Sequence, residues 1–233
     1  QHSILYNPHV RQPWPLWAVL TGTERPIVAL SFALNYALGG LDVWGYHAVN
    51  LAIHLLAGLV LFGLLRRTLQ LPRLPAWSGA RATGLAGTIS LLWVFHPLQT
   101  QAVTYHRQRA EALAGLWALL TLYSVQRGAI APQPGRWYAA ALISCALGMA
   151  TKSIMVATPL LVLFYDRTFL AGSLRAAWQQ RRALYCGLAA TTAIIPALYA
   201  GLLLQHPEYA SRLTVADLTP GTYALNQPAV LLR

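Results

Sequence analysis

Between Phe95 and Leu113 the sequence sets His96, Gln99, Gln101, Tyr105, His106, Arg107, Gln108, Arg109 and Glu111 between two strongly apolar runs. Ionisable groups at the end of a membrane helix are costly unless they face protein or a wet cavity. The stretch therefore marks a candidate site. Arg25 and Lys152 occupy comparable positions, and with His96, Arg107, Arg109 and Glu111 they make a cationic set beside aromatic side chains. Arg offers a planar fork of donors and Lys a point charge, which suits an anionic head group such as a phosphate. The same set suits outer-leaflet phospholipid without any catalysis. Thr104, Arg107 and Glu111 fall at i, i+3 and i+7, so Arg107 and Glu111 read as a helical ion pair. Arg109 points elsewhere and is the better ligand candidate. His96 has two readings, a general acid or base and a ring bonded to a neighbouring carbonyl. Glu24 and Asp42 flank Arg25-Pro26 and have the chemistry of bases, but no spacing pairs them.

What must position these groups is a series of apolar runs. The chain has 233 residues and is 10% charged, whereas soluble domains average about 25%. An integral membrane protein follows, expected as an all-α polytopic transmembrane helix bundle. The formal charge of +11 would suit nucleic acid, but the arginines sit between apolar blocks. They report topology, and no nucleic-acid partner is expected. Cys145 and Cys186 both lie in apolar runs and read as buried thiols. With Gln1 at one end and an apolar turn at Pro228 to Leu232 at the other, residues 1–233 read as a fragment of one membrane domain.

Residues 1–43, with Trp14, Trp17 and several prolines, read as an outer interfacial loop carrying short helices. Residues 44–204 read as the transmembrane bundle, and 205–233 as an outer loop with the start of a next helix. About six apolar crossings are expected: Val43 to Leu65, Gly84 to Phe95, Arg109 to Val125, Trp137 to Ala150, Ile154 to Tyr165 and Ala183 to Leu204. Pro97 should end the second and Pro196 kink the last. His47, Asn50 and His54 share one helix face, where hydrogen bonding between helices is favoured over a metal or ligand role. Connectors 66–83, 127–136 and 166–182 carry ten basic residues and one acid, Asp166. Lys and Arg favour the cytoplasm, so Arg25, the 96–111 stretch and Lys152 fall on the outer face.

Arg25-Pro26 with Leu30-Ser31-Phe32, Gly45 to Leu51 with His54, His96 to Tyr105 followed by Gln108 to Glu111, Gly148 to Lys152 with Pro159, Tyr165 to Phe169, and Asn226 to Val230 stand in a familiar order. On these motifs the chain resembles bacterial membrane proteins with tetratricopeptide repeats that are similar to the transmembrane O-mannosyltransferases. The resemblance covers nearly the whole chain. It implies a GT-C glycosyltransferase architecture in the bacterial inner membrane, with a polyprenyl-phosphate sugar donor, mannose as the sugar, and a hydroxyl acceptor on protein or glycan. Catalysis is expected on the non-cytoplasmic face, a repeat domain after the membrane domain, and an acidic base or metal ligand in the first outer loop, upstream of Gln1. Two departures stand out: the family's Lys-Glu is Lys152-Ser153 here, and its aliphatic pair is His106-Arg107.

In this reading Arg109 and Lys152 hold the lipid phosphate, with Arg25, Gln99 and Tyr105 completing the substrate-binding set. His96 and Glu111 are the catalytic candidates. A divalent metal is compatible with the resemblance, although no ligand set in the sequence demands one. Two competing readings remain. A transporter or flippase for a lipid-linked substrate would need internal repeats and polar groups deep in the membrane. A non-catalytic scaffold would simply display a repeat domain.

Overall fold

The computed structural model describes residues 16–74, 79–99 and 108–205. Tyr105, Arg107 and the two terminal stretches lie outside these residues. Within them every regular element is helical. Helix α1 (Leu16–Thr21) leads to α2 (Pro26–Gly39), which starts on a proline whose missing N–H is no loss in a first turn. Gly40, at φ 60°, closes α2 by donating its N–H to the Tyr36 carbonyl at 2.8 Å.

Asp42 caps α3 (Val43–Leu69), its carboxylate accepting from the Trp44 N–H at 3.1 Å. Arg66 and Arg67 fill the last turn of α3, where the helix dipole favours cations. Helix α4 (Gly79–Val94) stops short of Pro97, and Pro97–Gln99 adds a single 3-10 turn. Helix α5 (Arg109–Ile130) has Glu111 in its first turn and Arg127 in its last, the arrangement the dipole favours at both ends. Helix α6 (Gly135–Met149) turns back along α5. A 3-10 segment (Ser153–Ala157), α7 (Thr158–Tyr165) and a π-helical segment (Asp166–Ala171) run on continuously. Ser173 caps α8 (Leu174–Thr191), and α9 (Ile194–Gln205) completes the described chain.

Helix α5 is the hub, packed against α3 on one side and α6 on the other. Gly128 makes the α5–α6 approach close, because a Cβ there would run into the Tyr138 ring. Small residues permit such backbone contact between membrane helices. The core is mainly apolar, but polar groups are buried within it and large apolar groups stand outside. Asn50, Arg109, Thr121, Gln126, Thr151 and Asp166 are wholly buried, whereas Leu38, Trp44, Leu59, Leu92 and Phe95 are mostly exposed. Partnered polar groups inside and large apolar groups on the surface suit a lipid solvent.

The six apolar crossings are corrected to three. Only Val43–Leu69, Ser153–Ala171 and Leu174–Gln205 are long and apolar enough to cross a membrane among the described residues. Helices α4 and α6 have 16 and 15 residues, about 24 and 22 Å at 1.5 Å per residue, against a hydrocarbon core of about 30 Å. Helix α5 is long enough but carries Arg109, Glu111, Thr121, Ser124, Gln126 and Arg127, so its surface is satisfied by protein rather than lipid. The Ile154 run is longer than expected because the π-helical segment extends it past Tyr165. Pro97 falls just after α4, as its missing N–H requires. The kink expected at Pro196 sits earlier, at Thr192 and Ala193, so that Pro196 occupies the first turn of α9.

Candidate functional site

At the end of the bundle where α5 begins, Arg109 is enclosed on every side. Its Nε donates to Asn50 Oδ1 at 2.7 Å, one terminal nitrogen to Asn35 Oδ1 at 2.7 Å and the Ser31 carbonyl at 3.2 Å, and the other to the Tyr46 carbonyl at 3.0 Å. The guanidinium carbon lies 4.4 Å from the centre of the Phe32 ring and 5.6 Å from that of Tyr46. Four dipoles and two aromatic faces thus neutralise a buried cation without a carboxylate. Arg109 ties α2, α3 and α5 into one unit. Its surroundings make it a strut beneath the surface rather than a group open to a ligand.

Two residues along α5, Glu111 breaks the surface and forms an ion pair with Lys152. Their side chains are 47% and 22% exposed. Lys152 lies on the turn between α6 and the Ser153–Ala157 segment, and the Ile27 N–H donates to the Ala150 carbonyl of that turn at 3.4 Å. The start of α2 is thereby held against it. Arg25 pairs with Glu24 at 3.3 Å, and the Tyr199 hydroxyl donates to Glu24 at 3.0 Å. Glu24, Arg25, Ser153 and Tyr199 line a cleft of only about 10 Å³. The structure so brings Arg25, Glu111 and Lys152 to one end of the bundle, above Arg109.

His96 is exposed, and its Nδ1 accepts from the Leu98 N–H at 3.2 Å. Gln99 is half-buried and donates its N–H to the His96 carbonyl at 2.9 Å. Neither is hydrogen-bonded to Glu111 or Lys152, and Tyr105 lies outside the described residues. Among the described residues no cluster of three or more His, Cys, Asp or Glu forms a metal-sized group. Of the α3 stripe, Asn50 holds Arg109, and His54 Nε2 bonds the Val94 carbonyl at 3.0 Å while its ring stacks on Trp93. These are the bonds between helices that the stripe's spacing predicts. Beside them an apolar groove of about 520 Å³ opens between α3 and α4, lined by Leu55, Leu59, Phe62, Leu91, Val94 and Phe95 among others.

Sequence reasoning missed the polar cluster at the opposite end. Asp166, wholly buried, accepts two bonds from Arg181 at 2.9 and 3.0 Å and one from the Tyr185 hydroxyl. Arg181 also donates to Tyr138 at 3.2 Å. The available signal was that Asp166 is the lone acid in the basic connectors. Asn35, isolated in an apolar run, was the comparable signal for the Arg109 cage.

No family model matches the chain, and no solved structure matches it. Curated relatives do. The chain is 35% identical over 140 residues, 54% of its length, to protein O-mannosyl-transferase TMTC1 of Mus musculus. It is 38% identical over 46% of its length to Tmtc1 of Drosophila melanogaster, and 41% identical over 42% to tmtc2 of Xenopus laevis. The matched region spans only 10 to 14% of each of these relatives' own length. A helical membrane protein whose homologues are TMTC protein O-mannosyl-transferases, at about 35% identity over half the chain, is what fold and comparison together establish.

Proposed function

We propose that this chain is part of the membrane core of a glycosyltransferase that moves a sugar, mannose by analogy with its relatives, from a polyprenyl-phosphate donor to a protein hydroxyl. The reaction is assigned to the non-cytoplasmic face. The observation that carries this is the half-exposed Glu111–Lys152 ion pair, seated on the rigid Arg109 cage at the end of the bundle.

The chemistry follows from that placement. A sugar phosphate reacts when an acceptor oxygen bonds to the anomeric carbon as its bond to the phosphate oxygen breaks. The acceptor proton must go to a base, and the departing phosphate gains charge that a preorganised cation stabilises. Lys152 and Arg25 are the cations placed to meet the phosphate, and Glu111 is the carboxylate placed to take the proton. Binding of the phosphate to Lys152 would compete with Glu111 and release its carboxylate for that task. His96 is assigned to the acceptor side and Gln99, with Tyr105, to substrate contact. The apolar groove between α3 and α4 includes Val94 and Phe95, the residues just before His96 in the chain, and suits the donor's hydrocarbon chain. Arg109 acts as a positioning residue for all of these.

The test is sugar transfer by the whole protein, reconstituted with a polyprenyl-phosphate-mannose donor and a peptide acceptor. Glu111→Gln and Lys152→Gln should each lower turnover by about 100-fold or more with thermal stability little changed. Wild-type-like turnover in both variants would sink the assignment.

A further inference from the structure

The end of the bundle opposite Lys152 holds a second set of cations. Arg67 stands there near the end of α3, Gln126 and Arg127 near the end of α5, Pro132 in the connection that follows, and Arg136 and Trp137 in the first turn of α6. Together they line a cavity of about 220 Å³. Among the described residues none of these three arginines meets a carboxylate. Instead Arg127 lies 4.5 Å and Arg136 5.6 Å from the centre of the Trp137 ring, and Arg67 lies 5.9 Å from that of Tyr123. Stacking of this kind holds guanidinium planes in place while leaving their N–H groups to bind.

Three atoms of the lining are buried without a hydrogen-bond partner: Arg127 Nε, Trp137 Nε1 and Gln126 Oε1. Natural structures leave few such atoms, so each calls for an occupant. Gln126 is wholly buried, and its Nε2 donates its two hydrogens to the Tyr165 hydroxyl at 2.7 Å and Thr68 Oγ1 at 2.9 Å, with the Leu64 carbonyl a longer contact at 3.3 Å. Thr68 gives its own hydroxyl proton to the Leu64 carbonyl at 2.8 Å, so the Tyr165 hydroxyl, 2.6 Å away, donates to Thr68 Oγ1, and both oxygens can only accept from Gln126, which fixes the amide's orientation. Oε1 is then what Gln126 has left to offer the cavity. The site offers three positive charges to an anion, and its lining residues hold two unpartnered N–H donors and one unpartnered acceptor for groups of the same ligand.

We infer that this cavity binds a phosphate ester that also carries a hydroxyl, the chemistry of a glycerol phosphate. Its volume is below the roughly 300–1,000 Å³ of sites for drug-sized ligands, so a small head group fits. Arg66 and Arg67 stand in the last turn of an apolar helix long enough to cross a membrane, and Ile130 at the cavity's rim is 61% exposed. That places the cavity at head-group level, where basic pockets between helices take anionic phospholipid. A phosphatidylglycerol-like lipid is the source these observations favour over a soluble phosphate ester.

The test is native mass spectrometry and thermal unfolding of the whole protein in neutral detergent. The titrants are phosphatidylglycerol, phosphatidylcholine and glycerol 1-phosphate. Phosphatidylglycerol should stay bound and raise the melting temperature, and phosphatidylcholine should do neither. The double variant Arg127→Gln/Arg136→Gln should bind about tenfold or more weakly. Trp137→Phe removes one N–H while keeping the ring, and should weaken binding several-fold without loss of fold. Arg175→Gln, an exposed arginine of α8 outside the cavity, should bind as wild type. Binding of glycerol 1-phosphate alone, lost in the same variants, would support the site and make its source soluble. Equal retention of both lipids, or a folded double variant with wild-type affinity, would overturn the inference.

Discussion

Arg109 shows how one side chain can be read two ways until its neighbours are known. As a residue type near a helix end it announces a site, and a phosphate ligand is a reasonable expectation. Its cage consists of Asn35 and Asn50, 74 and 59 positions away in the chain, and no local spacing could have paired them. With the cage in place, its work is to hold α2, α3 and α5 together. Arg109→Ala should cost about 3 kcal/mol or more, because it strands two buried amide oxygens that lose charge-assisted bonds. Arg109→Lys should recover only part of that, since an ammonium lacks the planar fork that meets both asparagines and stacks on Phe32. Thermal unfolding in detergent measures both, and an unchanged melting temperature for the alanine variant would contradict the strut role. Glu111, two residues on, is legible as an ionisable group at a helix end, but its partner Lys152 lies 41 positions away and only the fold brings them together.

At the level of elements, the sequence reads well where a helix is uniformly apolar and poorly where chemistry intervenes. The start of α3 at Val43 and the end of α4 before Pro97 follow from a cap and a proline. The path from α7 to α8 does not. There the backbone widens into a π-helical segment at Asp166–Ala171, and Arg73 reaches back to donate to the Leu170 and Ala171 carbonyls at 3.0 and 2.9 Å. Gly172 follows at φ 84°, with the Arg73 guanidinium lying where a side chain would go. Asp166 in this segment anchors Arg181, whose own backbone departs from helical angles and kinks α8. Asp166→Asn removes the negative partner from a nearly enclosed arginine. Breaking such a pair should destabilise by about 3–5 kcal/mol. An Asp166→Asn/Arg181→Gln double variant should recover part of that loss, because no uncompensated charge remains. Full additivity of the two single losses in a double-mutant cycle would show that the pair is not coupled.

For the whole molecule, the two ends of the bundle carry different chemistry, and that difference makes its orientation in a membrane a testable prediction. Lys152, Glu111 and Arg25 gather where α5 begins, and Arg67, Arg127 and Arg136 gather where it ends. Helix α5 has 22 residues, about 33 Å at 1.5 Å per residue, close to the thickness of a hydrocarbon core. We propose that the two sets lie at opposite membrane faces, with α5 enclosed by its neighbouring helices rather than facing lipid. Arginine-rich connectors favour the cytoplasm, so Ser153 should face away from it and Arg136 toward it. Cys145 is buried and Cys186 exposed on the apolar part of α8, so Cys186→Ser gives a quiet background. In sealed vesicles with the non-cytoplasmic face outward, Ser153→Cys should react with a membrane-impermeant maleimide. Arg136→Cys should react only after the vesicles are opened. The reverse pattern would invert the protein and place the Glu111–Lys152 pair in the cytoplasm. Reaction of both before opening would mean that the two sets share one face, and that α5 does not separate them across the bilayer.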